Sequence, residues 1–574
     1  EARVSTTPAS LIFFWVKSMT TKTELAARLC AGLGESIRSK APVFRLPQGI
    51  HEVAGGHLPE RYCHTSNNDQ GLKRILFDIE GAENLVLEGA GSTLMMSGEV
   101  IPIRVGNSRS ITLRNLTIDW RRPAYTQAVV EHSELGCIEF SYDPSLYPLG
   151  VDRGRLIARD GEGWQTDFLW NLLPYHPHRR EVSSKNENWQ ISRWHRATTP
   201  AEGRIRIEAD FREIYAPGTP IVLMHGNRVA PGIWVEESCG VTLENVIIHH
   251  APAMGVLAQC SRDVSLRQVR VEPSGDRLFS TWVDAVHFVE CHGHTLIEGC
   301  RLSGQFDDAV NIHAAFYKIV SHSAGRSMRV QTIHPQRFGP CGIKSGDGVA
   351  IYRRATMQRI AVGRAASVVP LNQEFHDIEL AEAIPLENDC IIRRYEPGSA
   401  NRIEITHNNF GANRGRGILI NMEHPTLIEG NHFHVSGRAI ESIPDANYWW
   451  EAGPFEELVV RGNTFEDCNY GPCGDTLIHV GPELPDGSDP RKGAFHQSQG
   501  ESLAVLPTEP VLKNLIIEKN TIIRHSSSLL FAQSVDGLVF EGNTITDSTA
   551  YPMRDTGPAI QLGSQVRNSR VQAV

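Results

Sequence analysis

The sequence predicts an all-β chain wound as a parallel β-helix, and three observations predict it. From Val43 onward, short apolar runs such as VFRLPQGIHEV, RILFDIEG, NLVLEGAGS, IPIRVGNS and ITLRNLTIDW are broken by Gly, Asn and Ser turns, with no helical stretch between them. A coil phrase then returns as VTLENVIIHH, DVSLRQVRV, TLIEGCRL, IEITHNNFG, TLIEGNHF, LVVRGNTF, NLIIEKNTI and LVFEGNTI, each followed by a second short strand such as GVLAQC, DAVHFV or GILINM. Asn408 and Asn431 are 23 residues apart, as are Asn520 and Asn543, the length of one coil. These asparagines are expected at left-handed turns, each side chain bonded to the neighbouring coil.

The elements follow in order. Thr23 to Lys40 places Leu25, Leu29 and Leu33 at helical spacing, as in an amphipathic segment that covers the open end of a solenoid or packs elsewhere on its surface. Residues 1–42 are assigned to this N-terminal segment and 43–120 to the first coils. Residues 121–230 break the rhythm with longer alternating segments (CIEFSYD, RIRIEADF, PIVLMHGN) around a Trp- and His-rich loop, Trp164 to Trp194. Central coils occupy 231–313. A second break over 314–400 contains MRVQTI, GDGVAIYRR and DIELAEAI, and the last coils fill 401–574. Both breaks read as small antiparallel β modules inserted between coils, and such insertions gather on one face, where they wall binding sites.

Composition narrows the function. A formal charge of -10 gives no electrostatic reason to expect nucleic acid or an anionic membrane as partner. Eleven cysteines without CxxC pairs suggest neither a zinc site nor a dense disulfide framework, although Cys468 and Cys473 are near enough to bridge a turn. Ser10 to Val16 is too short to span a bilayer and is read as the remnant of a processed or engineered terminus; no transmembrane segment is expected elsewhere.

The chemistry gathers in Ser280 to His313, which holds two near copies of one phrase, Val283-Asp284-Ala285-Val286-His287-Phe288 and Asp307-Asp308-Ala309-Val310-Asn311-Ile312. Successive coils stack at about 4.8 Å, so Asp284 and Asp308 should lie one above the other with Asp307 beside them. Aligning the second strands gives a column of Met254, Asp284, Asp308, Arg416 and Arg438, each before a small residue, once the insert after His313 is skipped. Stacked like charges are unfavourable unless something uses them, and three crowded carboxyls must retain a proton. A protonated acid beside an ionised one is what glycoside cleavage requires. The plainer reading is that the aspartates cap turns or pair with Arg416 and Arg438.

Strand alternation puts His287, Asn311 and His313 on one face if Val286, Phe288, Val310 and Ile312 point inward, either as sugar contacts or as a hydrogen-bond ladder. Trp449, Trp450 and Glu451 follow the AIESIP strand, offering an aromatic face and an acid to a sugar, or a hydrophobic lid.

At His250-Ala251-Pro252-Ala253-Met254-Gly255, STWVDAVHFVECHG, QFDDAVNIH, NRGRGILINM and AIESIPDANYWWEAG, the chain resembles glycoside hydrolase family 110, the α-1,3-galactosidases that include blood-group-B-cleaving enzymes. Where that pattern has Gly-Arg, the chain reads Asp276-Arg277. The resemblance implies a right-handed parallel β-helix with two inserted small β-barrel-like domains. It implies exo-acting, inverting release of terminal α-1,3-linked galactose without metal or cofactor. It carries catalytic roles onto Asp284, Asp307 and Asp308. Arg277, His287, Asn311, His313, Arg416, Arg438, Trp449 and Glu451 are the candidate substrate-binding residues. By analogy with β-helical polygalacturonases, Asp307 is the expected general acid, with Asp284 and Asp308 holding and deprotonating the water.

The expected partner is an oligosaccharide or glycoprotein glycan with terminal α-galactose, in a secreted or periplasmic setting, with a homodimer as one expected assembly. Three other readings compete: a polygalacturonase-like pectin hydrolase, which would need a Gly-His-Gly that Gly293-His294-Thr295 only partly matches; a calcium-dependent polysaccharide lyase; and a non-catalytic carbohydrate-binding solenoid.

Overall fold

Two parallel sheets, of 20 and 13 strands, run the length of the molecule and enclose its main core. The computed structural model describes residues 22–160, 163–183, 189–190, 195–339, 341–398, 400–471, 473–484 and 509–572; Ser10 to Val16 and part of the Trp164–Trp194 loop lie outside them. The chain is a right-handed parallel β-helix, whose coils give one strand to the smaller sheet and, to the larger, one long strand in the early coils (Glu83–Ser97, Arg109–Trp120, Cys239–Ile248) and two short ones from Arg262–Arg267 to Thr544–Asp547. Residues repeat at the same point of every coil, so like stacks on like. Val256, Val286, Val310, Ile418, Ile440, Ile478, Leu530 and Ile560 form one unbroken inward column. Most of these side chains have no solvent exposure, and truncating one to Ala costs about 2–5 kcal/mol.

The helix spans Lys22–Arg38 and buries Ala26, Leu29 and Leu33 in the same core as the first coils, against the strands Ile50–Ala54 and Gly71–Glu80. Among the described residues, no helix is long and apolar enough to cross a membrane. The Asn ladder forms: each of Asn408, Asn431, Asn463 and Asn520 donates its backbone N–H and its side-chain amide to the side-chain oxygen of the next, at 2.9–3.0 Å. The left-handed residue, however, is the one before each Asn (His407, Gly430, Gly462, Lys519 and Gly542, φ 55° to 66°), because that bend aims the following amide along the stack. All eleven cysteines are free thiols, so Cys468 and Cys473 do not bridge their turn.

Both inserts leave the solenoid without disturbing its register. Arg109–Trp120 pairs directly with Cys239–Ile248 across the first, and Val310–Ala315 with Ile418–Asn421 across the second. The first insert is a seven-stranded antiparallel sheet, Tyr125–Glu134 to Pro220–His225, with a three-stranded sheet beside it. It docks through an aromatic seam of Tyr125, Phe279, Trp282, Trp234 and Tyr175, in which Trp282 Nε1 donates to the carbonyl of Ala124 at 3.1 Å. The second, Tyr317–Ser323 to Cys390–Arg394, is a closed six-stranded barrel with a core of its own.

Candidate active site

The site is built on the turn that leads into the smaller sheet. Rung by rung, the residue two places before the inward column is Met254, Asp284, Asp308, Arg416 and Arg438, and the backbone carbonyls there accept from the coil before: Asp284 O from Gly255 N–H (3.0 Å), Asp308 O from Ala285 N–H (3.0 Å), Arg416 O from Ala309 N–H (3.0 Å) and Arg438 O from Gly417 N–H (2.9 Å). The next residue is small because the turn is tight. A Cβ on Gly255 would stand 2.6 Å from Ala285 O, and one on Gly417 2.4 Å from Ala439 O. Skipping the inserted barrel therefore does bring Asp308 against Arg416.

The three acids converge, with carboxylate oxygens of Asp284, Asp307 and Asp308 all within 4.8 Å of one another. Asp284 and Asp308 are 3% and 1% exposed, whereas Asp307 is half-buried and reaches solvent. Asp284 Oδ1 accepts the N–H of Asp308 at 2.9 Å. Asp308 is gripped by Arg416 through the backbone N–H (3.0 Å), Nε (2.8 Å) and Nη2 (2.9 Å). Arg416 Nη1 in turn donates to Glu441 Oε2 at 2.6 Å, and Arg438 donates to the other oxygen of Glu441. Charge thus alternates from contact to contact through Asp308, Arg416, Glu441 and Arg438, which is how a buried ionic row is tolerated.

Burial pushes the carboxyls of Asp284 and Asp308 well above the usual carboxylate range, and the charge of Asp307 adds to it; Arg416 opposes the shift, most strongly at Asp308. Burial also works against charge on Glu441, but Arg438 and Arg416 together hold it down to about 2. Three carboxyls this close cannot all ionise, so the group retains a proton near neutrality.

Alternation along Val286–Val289 and Val310–Ala315 sends Val286, Phe288, Val310 and Ile312 into the core and His287, Asn311 and His313 to the outer face. His287 Nδ1 lies 2.5 Å from Asp284 Oδ2 and its Nε2 3.0 Å from His313 Nε2, while Glu451 Oε1 stands 3.5 Å from His313. His287, His313 and Glu451 converge within 4.8 Å, as a cation site would, yet the imidazole nitrogens are engaged in a hydrogen-bond chain. Burial pulls His287 down to about 4, against the opposing charges of Glu451 and Asp308, and pulls His313 well below its ordinary range, so both rings are neutral at rest. Asn311 sits one rung from His287 with its side-chain oxygen buried and unpartnered.

The outer wall is the loop after Ile440–Ser442. Asp445 fastens it by accepting the N–H groups of Asn447, Tyr448, Trp449 and Trp450, and Arg337 donates to the carbonyls of Trp449 and Trp450. Trp450 is core; Trp449 is half-buried, its ring 4.2 Å from that of His334 and under the guanidinium of Arg228 at 5.9 Å. Glu451 pairs with Ala315 across a short antiparallel bridge and accepts from Asn67 Nδ2 at 3.2 Å.

Of the residues singled out in the sequence, Asp284, Asp307, Asp308, His287, Asn311, His313, Arg416, Arg438, Trp449 and Glu451 are gathered here. Arg277 is not. Its guanidinium is taken by Asp119 Oδ1 (2.6 Å) and Trp120 O (3.2 Å), on a separate cleft of about 800 Å³ between the coils and the first insert. Sequence reasoning missed Glu441, although it follows Arg438 at the outward position of the next strand and was readable by the same alternation. Asn67, Arg228, His334, Arg337 and Asp445 had no such signal, since four of them arrive from segments whose contact with the coils is not periodic.

No family model matches the sequence. The chain is 30% identical over 521 residues to alpha-1,3-galactosidase B of Bacteroides thetaiotaomicron, covering 88% of this chain and 80% of that protein. It is 30% identical over 552 residues to alpha-1,3-galactosidase B of Parabacteroides distasonis, covering 90% and 85%. Among solved structures, the A-module of a mannuronan C-5 epimerase from Azotobacter vinelandii overlaps 96% of each chain at 9% identity, with a TM-score of 0.37.

Proposed function

The chain belongs to the α-1,3-galactosidases of glycoside hydrolase family 110, and from that membership and its converging carboxyls we propose that it is an exo-acting, inverting enzyme that releases terminal α-1,3-linked galactose from glycans such as blood group B antigen or linear α-1,3-galactosides. The observation that carries the chemistry is the trio on adjacent rungs, since hydrolysis of a glycoside needs one carboxyl to protonate the leaving oxygen and another to handle water.

Asp307, the member of the three with exposed surface, delivers the proton to the departing sugar oxygen. Asp284 and Asp308 hold the water from below. The half-buried ring of Trp449, with Arg228 over it, offers a face for galactose, and the unpartnered oxygen of Asn311 an acceptor for one of its hydroxyls. Arg416 and Arg438 act through Asp308 and Glu441, fixing where charge sits. Because such glycans are displayed outside cells, a secreted or periplasmic location belongs to the same proposal.

Spacing favours a second reading of the stereochemistry. Inverting pairs ordinarily stand about 6.5–9.5 Å apart and retaining pairs about 5–5.5 Å. Oxygens that approach within 4.8 Å lie on the retaining side of that rule, whereas the third carboxyl supports inversion by allowing water to be held away from the proton donor. The test is incubation with Gal-α-1,3-Gal, following the galactose signals by NMR from the first minutes. β-Galactose appearing first is expected; α-galactose first would replace inversion by retention, and binding without release would leave a carbohydrate-binding solenoid.

A further inference from the structure

The partners of the two buried histidines fix where their hydrogens lie. His313 has no exposed surface, and its Nδ1 is 2.7 Å from the carbonyl oxygen of Ala314. A carbonyl only accepts, so Nδ1 carries hydrogen and, in a neutral ring, Nε2 is a bare lone pair. His287 Nε2, 3.0 Å away, must therefore be the donor between them. That leaves His287 Nδ1 facing Asp284 Oδ2 at 2.5 Å, where two lone pairs cannot face each other. One proton lies in that contact. The other oxygen, Oδ1, accepts from the N–H of Asp308 and turns toward the acid trio.

We propose, on the reading that the chain hydrolyses glycosides, that the catalytic base is Asp284 and His287 acting as one proton-sharing unit, with His313 as the positioning residue that locks its tautomer. At rest the unit holds one proton in the Asp284–His287 contact, beside the Nε2–H of His287, and has no net charge. As water attacks the anomeric carbon, the bond from that carbon to the glycosidic oxygen breaks and Asp307 gives its proton to that oxygen. The attacking water gives its proton to Asp284 Oδ1, and the proton already shared moves fully onto His287 Nδ1. The unit ends as a carboxylic acid beside an imidazolium, its new positive charge matched by the new negative charge on Asp307. The proton then returns to Asp307, restoring the resting state.

Burial explains why two residues are needed. Asp284 alone, enclosed beside Asp307 and Asp308, would keep its proton and be a poor base; His287 Nδ1, 2.5 Å from Oδ2, is a second acceptor, and although burial disfavours its cation, the facing carboxylates Glu451, Asp308 and Asp307 favour it as charge forms on Asp307. The groups facing the pair are Asp307, Asp308, Glu451, Arg228 and Arg416, and those facing His313 also include Arg337 and Glu290.

The test compares kcat/KM against pH for the full chain on Gal-α-1,3-Gal, with melting curves confirming that each variant folds. His287→Gln keeps a donor toward Asp284 but cannot carry the proton. It is expected to keep KM, lose roughly 100-fold in kcat on the wild-type plateau and move the acid-side limb to higher pH, recovering partly as pH rises. His313→Gln, whose side-chain oxygen still accepts from His287, is expected to retain the wild-type profile, while His313→Leu displaces it and carries the test should His287→Gln fail to fold. Variants that lower the rate by one factor at every pH, leaving the profile's shape unchanged, overturn the proton-sharing unit. Wild-type protein that releases no galactose would overturn the glycosidase reading instead.

Discussion

Two columns run along this solenoid, and they hold their polar groups by opposite means. The asparagine column from Asn408 to Asn543 is neutral and self-complementary: every amide is donor to one neighbour and acceptor to the other, so each added coil satisfies the last. The column through Asp284, Asp308, Arg416 and Arg438 cannot satisfy itself, because the like charges it stacks a rung apart, Asp284 over Asp308 and Arg416 over Arg438, repel. It needs Glu441 between the two arginines and a wall of unrelated segments over the acids. A repeat that satisfies itself is architecture. A repeat that must be compensated from outside is where strained charge is available for chemistry.

The comparison can be broken from either side. The largest effect is expected at the acid end, where Asp307→Asn should lower kcat roughly 10²–10⁴-fold while galactose binding, followed by calorimetry, persists; near-normal turnover would remove Asp307 from the proton-donor role. Next comes Glu441→Gln, which leaves Arg416 and Arg438 without their shared counter-charge and should destabilise the fold by about 3 kcal/mol at neutral pH. Glu441 has a depressed folded-state value, so its stabilisation is complete above its ordinary 4.5 and fades as pH falls toward about 2. Denaturation curves of wild type and variant should therefore converge over that window; a constant gap down to pH 2 would show that the loss is packing, not charge. The smallest effect is on the neutral column. Asn431→Ala strands the donors of Asn408 and the carbonyl of Ile405, at roughly 2 kcal/mol, and leaves kcat/KM unchanged at temperatures where the variant is folded. A change in kcat/KM there would mean the two columns are coupled through the coil.

Much of the fold was legible because a β-helix is periodic. The 23-residue recurrence of Asn, the alternation around Val286 and Val310, and the small residue after each column position are local consequences of stacking one coil on the next, so they are written in one dimension. The position of the left-handed residue was misread by one place, since the ladder's side chains mark the bend without occupying it. The direction of Arg277 was not legible for a different reason: whether a loop arginine turns toward the acids or toward Asp119 depends on a partner 158 residues away.

The sequence by itself determined the solenoid, the vertical alignment of Asp284 with Asp308 and Arg416, and the outward face of His287, Asn311 and His313, because coil geometry repeats at short range. Only the tertiary structure decided which of these polar groups share protons and charge. Arg228, His334 and Arg337 close over the Trp449 loop, Asn67 ties Glu451, and Glu441 joins two arginines through contacts between segments far apart in the chain. Burial then sets the charge state of each acid, and burial belongs to the assembled molecule rather than to any stretch of it.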